Sequence, residues 1–436
     1  MNIPRYTEYK DSGVEWLGEV PGHWGVVPLK HLAEFINGNA FKPAEWVEFG
    51  IPIIRIQNLN GSGEFNYFDG EVEERYLVHD GELLFGWSGN RGTSFGPFLW
   101  QWNEVCALNQ HIFRVVPFDS DKKSLYWTLK AVTTHVEDQA HGIIGMVHIT
   151  KGDLGTINVP VPLQEEQSAI AAFLDRETGK IDALVAEQEK LISLLKEKRQ
   201  EVISHAVTKG LNPDAPMKDS GIEWLGALPE HWKAGYVRYF ARLESGHTPS
   251  RQHPEYWENC TIPWFSLADV GQIRNDEVIY VYDTKELVSE LGLANSSARL
   301  LPKGTVMLSR TASVGYSAIM GCDMATTQDF ANWVCGPELI SEFLLFVMRG
   351  LRNEFNRLMM GSTHQTIYMP DIAKLALGVP PLPEQSAIVA YLDQQTAKLD
   401  TLTAEAQRAI ELLKERRSAL ISAAVTGKID VRGMAT

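Results

Sequence analysis

The sequence predicts an α/β (α+β) fold built twice over: two globular domains of mixed helix and strand, each followed by a long helix. Three observations carry this. A strip at 10–24, KDSGVEWLGEVPGHW, returns at 218–232 as KDSGIEWLGALPEHW, identical at eleven of fifteen positions. A stretch at 166–208, from EQSAIAAFLD to ISHAVT, returns at 384–426 as EQSAIVAYLD to ISAAVT, identical at 25 of 43 positions. Between strip and helix stand some 130 to 145 residues that differ between the copies. A duplicated frame around unlike inserts suits recognition of two different things, and a decayed duplication with only structural meaning is the plainer alternative.

The predicted order is a strip at 1–24, a first domain at 25–155, a long helix at 156–211, the repeated strip at 212–232, a second domain at 233–377 and a second long helix at 378–436. In the strips, His23 and His231 stand beside Trp24 and Trp232, a setting for packing or capping rather than catalysis. In the inserts, β-rich runs such as Ile53-Ile54-Arg55-Ile56, Glu82-Leu83-Leu84-Phe85 and Thr305-Val306-Met307-Leu308 are punctuated by Gly, Asn and Pro. Helical patterns follow at 124–136 and 341–359.

The long helices announce themselves by spacing. Ile170, Leu174, Ile181, Leu184, Leu191, Leu195 and Val202 recur at combinations of three and four with a seven-residue period, and Ile388, Leu392, Leu399, Leu402, Ala409, Leu413 and Leu420 repeat the series. Glu165 and Glu166, or Pro383 and Glu384, suit a first turn, and Gly210 and Gly427 suit the stops. Glu177, Gln188 and Lys198 interrupt the seam as a register-setting device. A helix of about 40 residues is about 60 Å long. One such helix cannot bury its seam alone, but two can pair as a spacer. The charged faces KEKRQE and KERRSA read as solvated or as a docking surface for a partner.

Composition sets limits. The chain has 436 residues, 44% of them hydrophobic, with 12 Trp and 17 Phe, which calls for packed cores. No apolar run of about 18 residues predicts a membrane span. The opening MNIPRYTEYKDSG lacks a signal-peptide layout, so a cytoplasmic protein is expected. Cys106, Cys260, Cys322 and Cys335 lie far apart and read as free buried thiols. The net charge of −15 argues against a surface that binds phosphate everywhere. A nucleic-acid contact on this chain has to be a locally basic face or a groove shared with a partner.

Strand ends in both inserts lead into polar loops with base-reading chemistry. In the first these are Arg55, Gln57 and Asn58; Trp87, Ser88, Asn90 and Arg91; and Asn109, Gln110 and His111. In the second they are Ser309, Arg310, Thr311 and Ser313; Thr327, Gln328 and Asp329; and His364 and Gln365. Arg can pair with guanine, and Asn or Gln with adenine, through two hydrogen bonds in the major groove. A polar turn is usually only solvated, so the weight lies in the recurrence at matching places in both halves.

Catalytic signatures are missing from the sequence. There is no [DNS]PP[YF] tetrad, since Val379-Pro380-Pro381-Leu382 reads as the stop before a helix. Neither a GxxxxGK[ST] loop nor an HExxH or zinc-spaced cluster occurs, and Asp283-Thr284-Lys285 reads as a surface turn.

Together the duplicated DSGxEWLGxxPxHW strip and the duplicated VPxxxxEQxAIxxxLD helix start resemble the specificity subunits of Type I restriction–modification systems, over nearly the whole chain. Gly246-His247-Thr248-Pro249, Ile262-Pro263-Trp264 and Ala312-Ser313-Val314-Gly315 add to the likeness. The resemblance implies two target-recognition domains joined by two long antiparallel helices, with pseudo-two-fold symmetry. Each domain would read one half of a bipartite site in double-stranded DNA. It implies two methyltransferase subunits and restriction subunits as partners, which would carry S-adenosylmethionine, ATP and Mg²⁺, with no cofactor, metal or catalytic residue in this chain. The competing expectation is a non-enzymatic scaffold whose two divergent domains bind proteins.

Overall fold

A computed structural model describes residues 4–139, 146–360 and 365–434. They fall into two units, one of residues 1–188 with 408–436 and one of residues 189–407. Each unit holds one strip, one insert, one end of the first long helix and the opposite end of the second.

The inserts share a strand plan. In the first unit one sheet runs Gly96–Leu99, Leu83–Gly86, Ile112–Pro117, Ala33–Asn37, with every pair antiparallel. A second sheet runs Asn66–Phe68, Ile51–Ile54, Cys106–Leu108, Leu77–Val78, and its central pair is parallel. The second unit repeats this. Ser317–Met320, Val306–Ser309, Phe330–Cys335 and Ala241–Ser245 follow in order, with Tyr280–Val281 added outside. Ile262–Phe265 lies between Glu286–Val288 and a parallel Ala325–Thr326. Helix Lys122–Gln139 packs Leu125, Leu129 and Val132 on Phe35, Phe85 and Phe113. Helix Ser341–Gly350 packs Phe343, Leu344 and Val347 on Val306, Leu308 and Trp333. Truncating one of these buried phenylalanines to alanine costs about 3–5 kcal/mol. The helix expected over 341–359 breaks at Leu351 and resumes as Arg352–Leu358. The strand expected over 53–56 stops at Ile54, because the Asn58 side chain caps the Arg55 N–H and starts the turn Ile56–Leu59. All four cysteines are free, but only Cys106 is buried; the other three are partly exposed.

Helices Gln164–Lys209 and Leu382–Val425 run through both units. In the first unit Asp182 of one meets Arg417 of the other at 2.8 Å; in the second, Arg199 meets Asp400 at 2.9 Å. The pairing is therefore antiparallel. Asp182 and Asp400 are the same position of the duplication, as are Arg199 and Arg417, so the two bridges are one bridge repeated. This corrects two expectations. Arg199 of KEKRQE and Arg417 of KERRSA turn to the partner helix, while Arg416 and the lysines and glutamates of both runs stay exposed as expected of a solvated face. Glu177 is held by Arg176 and Lys180, and Lys198 by Glu201, all along their own helix, so they set no register across it. The seam is buried toward the start of each helix, at Ile170, Leu174, Ile181, Ile388 and Leu392, and only half-buried at Val202 and Leu420 near the far ends. Leu184, Leu191 and Leu402 are exposed. A seven-residue repeat on a 3.6-residue helix drifts about 20° per heptad, which turns the mid-helix leucines away.

The duplicated motifs form the joints. Trp24 and Trp232 are fully buried, and each indole N–H donates to a helix-start carboxylate, Glu166 or Glu384. The adjacent glutamines hold the inserts. Gln167 accepts from the Asp121 N–H and donates to the Pro162 carbonyl. Gln385 accepts from the Ile340 N–H and donates to the carbonyls of Glu338 and Pro380. Gly210 and Gly427 end the helices at φ 75° and 73°. A Cβ on Gly427 would lie 2.3 Å from Pro21 and 2.9 Å from Trp24, so this stop needs glycine for space as well as conformation.

Candidate nucleic-acid interface

In the first unit the parallel strands Ile51–Ile54 and Cys106–Leu108 end side by side, and the Asn109 N–H donates to the Ile54 carbonyl at 3.1 Å. Strand Leu83–Gly86 ends at the same edge, with Gly86 opposite Ile112. The three expected loops are thereby brought together. Trp87 lies 5.5 Å from the His111 ring, stacks on Phe113 and donates to the Gln110 carbonyl. Ser88 reaches Met146 at 3.3 Å, on strand Met146–His148, which pairs with Ser88–Asn90. Gln57, Asn90, Arg91, Gln110 and His111 are exposed. Arg55 lies 4.6 Å over the Trp46 ring and donates to Asn66. Asn58 is buried, with its amide spent on Arg55, Ser62 and Glu64, so it shapes the loop from inside. Asn109 is also buried. Arg91 donates to the Glu137 carbonyl at the end of helix Lys122–Gln139.

The second unit repeats the arrangement. Ile262–Phe265 and Ala325–Thr326 end together, and the Thr327 N–H donates to the Phe265 carbonyl at 3.0 Å. Arg310, one step past strand Val306–Ser309, donates to the carbonyls of Gln328 and Ile367 and accordingly presents its guanidinium beside the next loop. Thr311 bridges to Thr366, and the Ala312 N–H donates to the Gln365 carbonyl. Ser313 accepts from Arg274. Ser309 and Thr327 are buried; Gln328 and Gln365 are exposed. Thr327 donates to Asp329 and caps its N–H, which closes that loop on itself. His364, and Thr363 beside it, lie outside the described residues.

Further residues join these edges that the sequence reading had not placed there. Asn39 donates its N–H to the Leu108 carbonyl, and His247 donates its N–H to the Thr326 carbonyl. A Cβ on Gly38 or Gly246 would fall 2.2 Å from the neighbouring loop. Thr248 donates to the Gln328 side chain at 2.8 Å. The signal was present, since Gly38 and Gly246 keep the strip's offset of 208. Asp269 repeats Asn58 by accepting from the Ser266 N–H at 3.0 Å.

The electrostatics are local. Among the described residues Arg55, Arg91, Arg274 and Arg310 form no ion pair with a carboxylate, whereas Arg75, Arg114, Arg242, Arg251, Arg299 and Arg357 each have one. Unneutralised cations near the strand ends of each unit, in an otherwise acidic chain, suit local binding of a polyanion. Among the described residues no cluster of three His, Cys, Asp or Glu side chains is placed to hold a metal ion, and no helix is long and apolar enough to cross a membrane.

A duplicated two-unit fold with unlike loops on equivalent strand ends defines a modular reader. Residues 21–193 and 229–412 each match the family described as Type I restriction modification DNA specificity domain, and the chain belongs to that family. It is similar to the Type I restriction enzyme EcoBI specificity subunit of Escherichia coli, 21% identical over 97% of this chain and 90% of that one. It is also similar to the MjaVIII specificity subunit of Methanocaldococcus jannaschii, 22% identical over 95% of each. Two solved structures share the fold. One is a chain described under the structural basis of complex assembly and conformational transition of the type I R-M system. It has TM-score 0.68 and 17% identity, and the match covers 93% of this chain and 98% of that one. The other is the HsdS subunit of Thermoanaerobacter tengcongensis, with TM-score 0.52, 17% identity and 94% and 98% coverage.

Proposed function

We propose that this chain is the DNA-reading subunit of a Type I restriction–modification complex, in which each insert reads one half of a bipartite duplex target. The observation that carries this is the double family match, one copy per half, on a fold that sets different side chains on equivalent strand ends. Arg55, Gln57, Asn90, Arg91, Gln110 and His111 supply donors and acceptors for one half-site. Arg310, Thr311, Gln328, Asp329 and Gln365 supply them for the other. The buried members, Asn58, Asn109, Ser309 and Thr327, shape the loops.

Catalysis falls to partners in this reading. Two methyltransferase subunits and the restriction subunits bring S-adenosylmethionine, ATP and Mg²⁺, and the chain works in the cytoplasm as a recognition subunit with no reaction of its own. The exposed leucines of the long helices, Leu184 and Leu412 in the first unit and Leu191, Leu194 and Leu402 in the second, support docking of a partner subunit on each. The test is a map of methylated sites made by the chain assembled with its methyltransferase partners, repeated after residues 233–377 are replaced by a relative's insert. A bipartite site with one half changed and the other kept is expected. A chimera that changes both halves, or methyl transfer by the purified chain alone, overturns the reading.

A further inference from the structure

We propose that a cleft in the second unit, between Arg274, the turn at 312–315 and Arg352, takes a backbone phosphate of the DNA duplex and so holds DNA without reading its sequence. This rests on the DNA-reading function proposed above and adds a phosphodiester site to it. The cleft has a volume of about 380 Å³, and its lining includes Arg274, Ser313, Gly315, Arg352, Asn356 and Gln365 and, among the described residues, no carboxylate. In a chain of net charge −15, a hollow with two guanidiniums and no acid in its wall is suited to an anion.

The two arginines differ in what they have left to give. Arg352 is tied to Asp276, whose carbonyl in turn accepts from Arg199 of the first long helix at 2.9 Å. That chain of bonds fixes Arg352 and offsets much of its charge. Arg274 is exposed, donates to the Ser313 hydroxyl at 3.0 Å and has no ion pair among the described residues. Most of its five donors are therefore free, in the planar fork that suits phosphate oxygens. The turn facing it is tightly wound, with Ala312 at φ 59° and Gly315 at φ 90°. A Cβ on Gly315 would approach Phe355 to 3.2 Å, so the floor of the cleft is already closely packed. Its position favours DNA over a free anion. Ala312 and Ser313 follow Arg310 and Thr311 in the chain, and the Ala312 N–H donates to the Gln365 carbonyl. The cleft is thus part of the same rim as the base-reading candidates.

The test is Arg274→Ala in the complete complex with its methyltransferase subunits, binding a target duplex and an unrelated duplex over a series of salt concentrations. We expect affinity for both duplexes to fall by a similar factor, about tenfold, and the slope of log K against log salt to lose about one unit. Arg274→Lys should keep the slope, and the methylated site should stay the same. Wild-type affinity and slope in Arg274→Ala would overturn the cleft, as would a loss confined to the target duplex, which marks a base contact. Protection of the wild-type complex by inorganic phosphate, with DNA affinity unchanged in Arg274→Ala, would assign the cleft to a free anion and likewise overturn it. If the wild-type complex itself prefers no sequence, the proposed function fails and the cleft with it. If it does prefer one and Arg274→Ala binds normally, the cleft alone fails.

Discussion

Glu166 takes the indole N–H of Trp24 at 2.9 Å and lies 3.0 Å from His23 Nε2; Glu384 stands to Trp232 and His231 at 3.1 and 2.7 Å. The two joints are chemically alike but differently wetted, since the Glu166 side chain is 4% exposed and that of Glu384 is 29% exposed. Glu166→Ala strands a buried indole donor and should cost about 1–3 kcal/mol. The same change at Glu384 should cost less, because water can reach the vacated place. Urea midpoints of the two variants check the order, and equal losses would show that burial does not govern the joint.

The repeated bridge between the long helices offers a second comparison of copies. Arg199 and Asp400 are 13% and 25% exposed, whereas Arg417 and Asp182 are 29% and 56% exposed. Arg417→Ala should cost about 0.2–1 kcal/mol, as exposed pairs do. Arg199→Ala also breaks the bond to the Asp276 carbonyl and should cost more, on the order of 2 kcal/mol for hydrogen bonds to a charged group. Denaturation at low and high salt separates them, with Arg417→Ala losing its effect at high salt.

Arg310 is the strongest candidate for a direct base contact in the second half-site. Its guanidinium is held by two carbonyls instead of a carboxylate, which leaves its charge intact and its direction fixed. Arg310→Ala should relax one target position at a cost of about 1–3 kcal/mol while the other half-site stays unchanged. A methylation map of the assembled variant is the readout. Uniform weakening of all sequences would make Arg310 a phosphate contact instead.

Lys130 carries the clearest pH signature. Burial, then the charge of Arg417, pushes its ammonium down to about 8 from the ordinary 10.5, while Glu137 and Asp182 pull the other way. Between about pH 8 and 10.5 the unfolded chain holds a proton that the folded chain has released, so stability contributed here rises with pH across that window. Compared with Lys130→Met, the wild type should gain ground from pH 8 to 10.5 and show a constant difference below pH 8. Parallel unfolding curves at pH 7 and pH 10 decide it. An unchanged difference between the two proteins would mean that Lys130 keeps its proton, as its place 5.3 and 5.4 Å over the rings of Phe98 and Tyr126 would favour.

The frame was legible in the sequence because it is repeated. Trp24, Glu166, Gly427 and their copies stand out by identity alone. The helix seam was legible only near the start of each helix, since a heptad count takes no account of the drift that exposes Leu184 and Leu191. The loops were harder. Arg55, Asn58 and Gln57 look equally polar in sequence, yet a single hydrogen bond from the Arg55 N–H to the Asn58 side chain turns one residue inward and leaves another facing out. Such sorting depends on local backbone geometry that composition does not encode. Arg274 escaped notice because its place in the cleft comes from a turn at 312–315, far from it in the chain.

The glutamine side chains of the joints hydrogen-bond only to main chain. Gln167 bonds the Asp121 N–H and the Pro162 carbonyl; Gln385 bonds the Ile340 N–H and the carbonyls of Glu338 and Pro380. Peptide groups are present whatever residue carries them, provided a donor position is not proline. A fastening of this kind makes no demand on the side chains of the insert it fastens. Genetic exchange can therefore bring in an insert of unrelated sequence and find this part of its attachment ready, so that only side-chain contacts such as that of Trp127 with Asp175 have to be matched anew when a lineage acquires a new half-site.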